Sequence, residues 1–284
     1  MKNFQKNTFV IFDVETTGLS VSNGDRIIEV AALKIKNLRP IGHFHSFVNP
    51  QREISSGAFA VNRITYEMLC GSPTAQEILP ELLDFFGESI LVGHNIKFDL
   101  EFLRREVFLA GLDWKEKVMA LCTVKMARTL LPEMGRYPLW LVAQTLGLDT
   151  LQEHRALSDV YLTWSVFRRL LAVANRRDLT DLEMFLPLFA VQPGPEQEKR
   201  IKENISLIEQ AIEFKKTILI SYFSSSQGAM TFRKVNPQRI VKEKGQMKLL
   251  GFCHLRGEDR SFRLDRILRL DYSPDNALDN GCSS

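Results

Sequence analysis

Apolar residues in the first fifty positions fall into three strand-length runs, residues 8–14, 27–35 and 41–48, with β-branched and small residues prominent. Ser22-Asn23-Gly24-Asp25 and Asn37-Leu38-Arg39-Pro40 separate them as compact polar breaks, so the runs predict an antiparallel meander. After Pro73 the period changes. Ile78, Leu79, Leu82, Leu83, Phe85 and Phe86 recur at helical spacing, a short strand follows at 90–92, and helices are expected over 97–110, 124–131, 139–146 and 156–174. Strands first, then strand alternating with helix, predict an α/β mixed sheet flanked by helices.

Residues 175–200 turn charged and end in Gln192-Pro193-Gly194-Pro195-Glu196, which marks a linker. Beyond it Ile201, Ile205, Ile208 and Ile212 space a helix across 197–215, and strand-like runs at 217–222, 230–235, 247–253 and 260–264 predict a small β-barrel. The plan is a domain at 6–174, a linker at 175–200, a barrel at 201–273 and a flexible tail at 274–284.

The net charge of +3 hides an asymmetry: residues 200–273 hold 15 Lys and Arg against 8 Asp and Glu, and the rest of the chain 22 against 26. A polyanion-binding surface or a merely solvated face accounts for that excess equally well. Cys70, Cys122, Cys253 and Cys282 form no C-x-x-C pair, which argues for reduced thiols over a zinc site or a disulfide framework. No signal-peptide pattern and no apolar stretch of about 18 to 20 residues is seen, so a soluble cytoplasmic protein without membrane attachment is expected.

In Phe9-Val10-Ile11-Phe12-Asp13-Val14-Glu15 the alternation of a strand puts Asp13 and Glu15 on the face of Phe9 and Ile11. Two adjacent carboxylates against an apolar sheet are costly unless a cation neutralises them, and an all-oxygen donor set favours Mg²⁺ or Mn²⁺; capping of a solvated strand end is the plainer alternative. Asp99 begins a helix after Gly93-His94-Asn95, where a negative charge is also favourable for the helix alone. His154 and Asp159 would point about 140° apart on one continuous helix. They converge only if His154 precedes the helix, a loop position suited to a general base reaching an attacking water.

Phe12-Asp13-Val14-Glu15-Thr16-Thr17-Gly18-Leu19, Gly93-His94-Asn95-x-x-Phe98-Asp99 and His154-x4-Asp159 resemble the three motifs of DEDDh-class 3′-to-5′ exonucleases, in that family's order. The flanking Arg26-Ile27-Ile28-Glu29-Val30-Ala31-Ala32 and Val48-Asn49-Pro50 agree with it, and the resemblance covers about residues 6–173. It is nearest to the epsilon-subunit type of bacterial replicative polymerases. It implies a ribonuclease-H-like fold, two Mg²⁺ or Mn²⁺ ions held by Asp13, Glu15, Asp99 and Asp159, His154 as the base, and release of nucleoside 5′-monophosphates from DNA 3′ ends in proofreading or repair. By the same resemblance Thr16 and Gly18 offer backbone contacts to the terminal nucleotide, Leu19 wedges against its base, Asn95 and Phe98 line the strand's path, and a DNA polymerase is a candidate partner. Where relatives often carry His-Gly before Ile-Thr, this chain has Val61-Asn62-Arg63-Ile64-Thr65, a change expected to alter nucleotide contacts and leave the metal site untouched.

Arg233-x-Val235-x-Pro237 and Arg260-Ser261-Phe262-Arg263-Leu264-Asp265-Arg266-Ile267 resemble the WYL domain, a small SH3- or Sm-like barrel, although the namesake Trp-Tyr pair is replaced in Gln246-Met247-Lys248-Leu249-Leu250. Arg233, Arg260, Arg263 and Arg266 are the candidate contacts to single-stranded nucleic acid or a nucleotide ligand, with pairing of Arg266 to Asp265 as the alternative. Two rival functions stand beside DNA degradation: an RNA exonuclease using the same site, and a ligand-sensing nucleic-acid-binding regulator working through the second domain.

Overall fold

The structure is a computed structural model that describes residues 2–114, 118–149, 154–179, 182–191, 195–224, 229–243 and 245–274. The predicted tail, apart from Pro274, and Pro193-Gly194 of the predicted linker lie outside these residues. The chain divides into two compact units, one mainly residues 1–175 and the other mainly 193–284, with short exchanges of segments between 176 and 192.

The first unit is built on a five-stranded sheet in the order β3-β2-β1-β4-β5. Its strands are β1 (Thr8–Thr16), β2 (Ile27–Lys36), β3 (Arg39–Phe47), β4 (Ile90–Gly93) and β5 (Ala120–Cys122). The first three form the expected antiparallel meander, and β4 and β5 add in parallel. The β2–β3 turn is tighter than the sequence suggested: Asn37 and Leu38 alone make it, both at positive φ, and Arg39-Pro40 already belong to the strand. β5 was not anticipated, because three residues carry no periodicity.

Helices cover the sheet: α1 (Lys2–Gln5), α2 (Ser56–Asn62), α3 (Tyr66–Leu69), α4 (Ala75–Phe86), α5 (Lys97–Leu109), α6 (Thr123–Leu130), α7 (Leu139–Thr145) and α8 (Ala156–Asn175). Strand alternation sorts β1 between two layers. Val10, Phe12 and Val14 enter a core that includes Leu79, Leu82 and Phe86 of α4 and Leu100 and Leu103 of α5. Phe9 faces the other way and meets Phe167 of α8 edge-on at 5.6 Å. α8 thus lies on the face that carries Asp13 and Glu15.

The stretch read as a linker contains α9 (Leu182–Phe189), with Pro187 inside it, and the first turns of α10 (Pro195–Glu213), which Pro195 begins. In the second unit α10 lends Ile208 and Ala211 to a core with Ile218, Ile220, Val235, Leu249, Phe262 and Leu270. The strands β6 (Ile218–Ser224), β7 (Ala229–Glu243), β8 (Gln246–Cys253), β9 (Glu258–Arg263) and β10 (Ile267–Tyr272) pair in the order β10-β6-β7-β8-β9. Among the described residues β9 and β10 are edges and no ladder joins them, so this is a five-stranded sheet without demonstrated barrel closure. β7 far exceeds the predicted 230–235: it pairs with β6 in its first half and with β8 in its second, changing register between Pro237 and Arg239.

Candidate active site

The site forms where β1 outruns β4. Pairing between them ends at Ile11↔Val92, so the N–H of Val14 on that side has no strand partner. Asp99, in the first turn of α5, supplies one: its Oδ1 accepts from Val14 N at 3.1 Å. Gly93 permits the turn from β4 towards α5, since a Cβ there would lie 2.9 Å from Ile96 and 3.0 Å from the Phe12 carbonyl oxygen.

Asp159 arrives from the opposite layer. α8 begins at Ala156, so Asp159 occupies its first turn, while His154 precedes the helix as an exposed loop residue at φ 50°. Ligand atoms of Asp13, Glu15 and Asp159 all lie within 4.8 Å of one another. Asp99 stands outside that trio, near enough for its charge to act on Asp13.

Electrostatics follow from this crowding. Burial, reinforced by Asp99, Asp159, Glu15 and Glu29, holds the Asp13 carboxyl well above the usual range. Glu15 is pushed up to about 8, chiefly by burial and then by Asp159, Glu29 and Asp99, against a lowering hydrogen bond from Asn62. Burial takes Asp99 to about 7, although the Val14 N–H opposes it. Two unit charges 4.8 Å apart repel by about 3.5 kcal/mol even at an effective dielectric near 20. Carboxylates arranged so expensively, with oxygen as the sole donor, fit a hard divalent cation.

The loop after β1 is closed by Asp25, which accepts from Thr17 Oγ1 and Ser20 N, each at 3.1 Å. A Cβ on Gly18 would sit 2.3 Å from an Asp25 carboxylate oxygen, so that position requires glycine. Thr16 is buried and donates its hydroxyl to the Gly18 carbonyl at 2.6 Å, and a register shift between Glu15 and Thr16 turns the strand at the site. Leu19 projects from this loop 87% exposed. Asn95 is exposed at φ 68°, while Phe98 is half-buried and packs on Phe102 at 4.8 Å.

Three contributors escaped the sequence reading. Asn62, the departure expected to spare the metal site, is buried and hydrogen-bonds Glu15, so that expectation is corrected: the substitution reaches a carboxylate of the cluster. Its Oδ1 accepts from Ile64 N at 3.1 Å, which fixes the amide orientation. Glu29, fully buried opposite Glu15 on β2, accepts from Arg155 Nε and Nη2 at 3.1 and 3.0 Å. Asp25 is the third. A lone acidic residue inside the apolar run 27–35 was the available signal for Glu29.

The four arginines of the second unit are not gathered into one open surface. Arg233 is buried with Nε donating to Thr231 Oγ1 at 3.2 Å, and Arg260 is exposed and paired with Glu258 at 2.9 Å. Asp265 accepts from both Nε and Nη2 of Arg263.

Among the described residues no helix is long and apolar enough to cross a membrane. The family model RNase T, described as Exonuclease, matches residues 10–167, and the WYL domain model matches 203–272. The chain is 39% identical over 181 residues to DNA polymerase III PolC-type of Thermotoga petrophila, a match covering 63% of this chain and 13% of that protein. The corresponding protein of Clostridium perfringens is 38% identical over 160 residues, covering 56% and 11%. The chain therefore spans a small fraction of these relatives' length. In fold it is similar to E. coli exonuclease I in complex with a dA16 oligonucleotide, with TM-score 0.56, 18% identity, and 87% of this chain and 55% of that one covered. The nuclease domain of 3′hExo, a DEDDh family member bound to rAMP, gives TM-score 0.51 and 17% identity over 59% and 92%. With more than half its length matched to that model and the motif carboxylates drawn to the end of one strand, the chain belongs to the RNase T-type exonuclease family and carries a WYL domain towards its C-terminus.

Proposed function

We propose that this chain is a 3′-to-5′ exonuclease that removes nucleoside 5′-monophosphates from DNA 3′ ends, in replication proofreading or repair. The observation that carries the reading is the meeting of Asp13, Glu15 and Asp159 within 4.8 Å, with Asp99 alongside and His154 at the mouth of α8. Asp13, Glu15, Asp99 and Asp159 would hold two Mg²⁺ or Mn²⁺ ions, which when bound supply charge stabilisation at the attacking and leaving oxygens. His154, outside the helix and exposed, takes the proton of the attacking water.

Leu19 wedges against the terminal base, a role its exposure supports, and the Thr16–Gly18 backbone seats the terminal nucleotide. Asn95 and Phe98 line the path of the strand. DNA is favoured over RNA by the relatives, which are named as DNA polymerases, and the same names support association with a replicative polymerase. In the second unit the WYL match supports a small SH3- or Sm-like barrel and contacts to single-stranded nucleic acid or a nucleotide through Arg260, Arg263 and Arg266, while buried Arg233 is left out of that surface.

The test is degradation of 5′-labelled single-stranded DNA and RNA of matched sequence, with Mg²⁺ or EDTA, by wild type and by Asp13→Ala. A metal-dependent ladder shortening from the 3′ end, faster on DNA and lost in the variant, is the expected result. Faster loss of RNA moves the chain to RNA processing, and no metal-dependent loss of either polymer refutes the nuclease reading.

A further inference from the structure

Glu29 has no exposed surface, yet among the described residues the hydrogen bonds of its side chain lead to the edge strand and to the segment that carries His154. Arg155 grips it through Nε and Nη2 at 3.1 and 3.0 Å, and the backbone N–H of Ala156 reaches its Oε2 at 3.1 Å. His45 Nε2 on β3 donates to Oε1 at 2.8 Å. Burial alone would raise this carboxyl, but the hydrogen bonds from Arg155, His45 and Ala156 outweigh it and hold Glu29 below the ordinary range. The Arg155 guanidinium also lies over the Phe47 ring, 5.0 Å from its centroid, and Phe47 meets His45 at 5.7 Å.

The chain thus pins the two residues that follow His154 to the strand lying beside β1. His154 itself sits at positive φ, a backbone conformation disfavoured for a residue with a side chain, and one that surrounding contacts must maintain. Glu29 pairs across the sheet with Glu15, so one buried carboxylate ties the register of the metal-binding strand to the start of α8. Charge alone does not explain the arrangement. An anion next to Asp13 and Glu15 makes that cluster harder to ionise, so its value must lie in what it holds.

We propose that Glu29 is a positioning residue for catalysis: by clamping Arg155 and the Ala156 N–H it fixes the loop conformation that presents His154 to the attacking water. The proposal rests on the assignment of His154 as the base. Its partners are Arg155, whose guanidinium has the two-pronged geometry a carboxylate needs, and His45 and Phe47, which hold the clamp from β3.

The test uses the full chain in single-turnover cleavage of a 5′-labelled oligonucleotide, with Mg²⁺ titrations and melting curves, for Glu29→Gln, Arg155→Met, Arg155→Lys, His154→Ala and the doubles of Glu29→Gln and Arg155→Met with His154→Ala. Loss of a group that orients an active-site residue typically costs about 10- to 100-fold. Glu29→Gln and Arg155→Met should lower the cleavage rate by that factor, with the KM for DNA and the Mg²⁺ midpoint within about two-fold of wild type. Arg155→Lys should recover part of the loss. Each double variant should be no slower than His154→Ala alone. Should Glu29→Gln fail to fold, Arg155→Met carries the test, since its side chain is one-third exposed.

Multiplying losses in the double variants overturn the proposal, as does a shifted Mg²⁺ midpoint with an unchanged rate, which would place Glu29 on the metal site. If His154→Ala cleaves at the wild-type rate, the base assignment has failed and takes the positioning role with it.

Discussion

Replacing Glu15 by Gln should stabilise the metal-free protein while abolishing its activity. The Glu15 carboxyl rises from 4.5 to about 8 in the folded chain. A raised folded-state value means that the folded chain holds a proton which the unfolded chain releases between those two pH values. Stability from this group therefore falls as pH climbs through the window, by up to about 1.4 kcal/mol per unit. At pH 7.5 the accumulated penalty, discounted for the partial exposure of Glu15 and for loss of its charged hydrogen bond with Asn62, is on the order of 3 kcal/mol. Gln has the same shape and does not titrate. In EDTA at pH 7.5 the variant should melt about 6–12 °C higher, taking roughly 2–4 °C per kcal/mol for a unit of this size. The advantage should shrink towards nothing at pH 5. With saturating Mg²⁺ it should reverse, because the ion stabilises only the protein that binds it. Calorimetry at pH 5 and 7.5, with EDTA or Mg²⁺, checks all four conditions. A variant that melts with wild type at pH 7.5 in EDTA, or whose advantage persists unchanged at pH 5, refutes the account of Glu15 as a carboxyl held up by burial and by its acidic neighbours.

Mg²⁺ binding followed by calorimetry should weaken as pH falls from 8 to 6, since Glu15 at about 8 and Asp99 at about 7 take up protons that compete with the ion; an affinity flat across that range would count against these values. Gly18→Ala should cost about 1–3 kcal/mol in urea unfolding, because the new methyl falls 2.3 Å from the Asp25 carboxylate, and it should weaken binding of 3′ ends. Asp99→Asn should lose at least about 100-fold in cleavage while unfolding close to wild type, since its carboxamide oxygen still accepts from Val14 N; a large stability loss would show that its charge, and not its acceptor, holds α5 to β1.

The carboxylates were legible in the sequence because each depends on a local rule. Alternation placed Asp13 and Glu15 together, an apolar-periodic helix placed Asp99 in its first turn, and the awkward angle between His154 and Asp159 forced His154 into a loop, where it lies. What was hidden depends on partners distant in the chain. Glu29 takes its meaning from Arg155, 126 positions later, and Asn62 from Glu15 in an earlier strand. The length of β7 was underestimated because its second half alternates around Pro237 and charged residues and is recognisable as strand only against β8. β10, six residues of mixed charge, likewise becomes a strand only against β6.

The early end of β4 has an evolutionary consequence. With Asp99 standing in for the missing strand neighbour of Val14, one side chain completes the sheet and, on the proposed reading, would serve the chemistry, so that selection would act on the two duties together. A duplicated copy released from nuclease function would keep an acceptor at this position after losing the others. Its decay should pass through asparagine before alanine, leaving a recognisable scar in descendants that no longer cut.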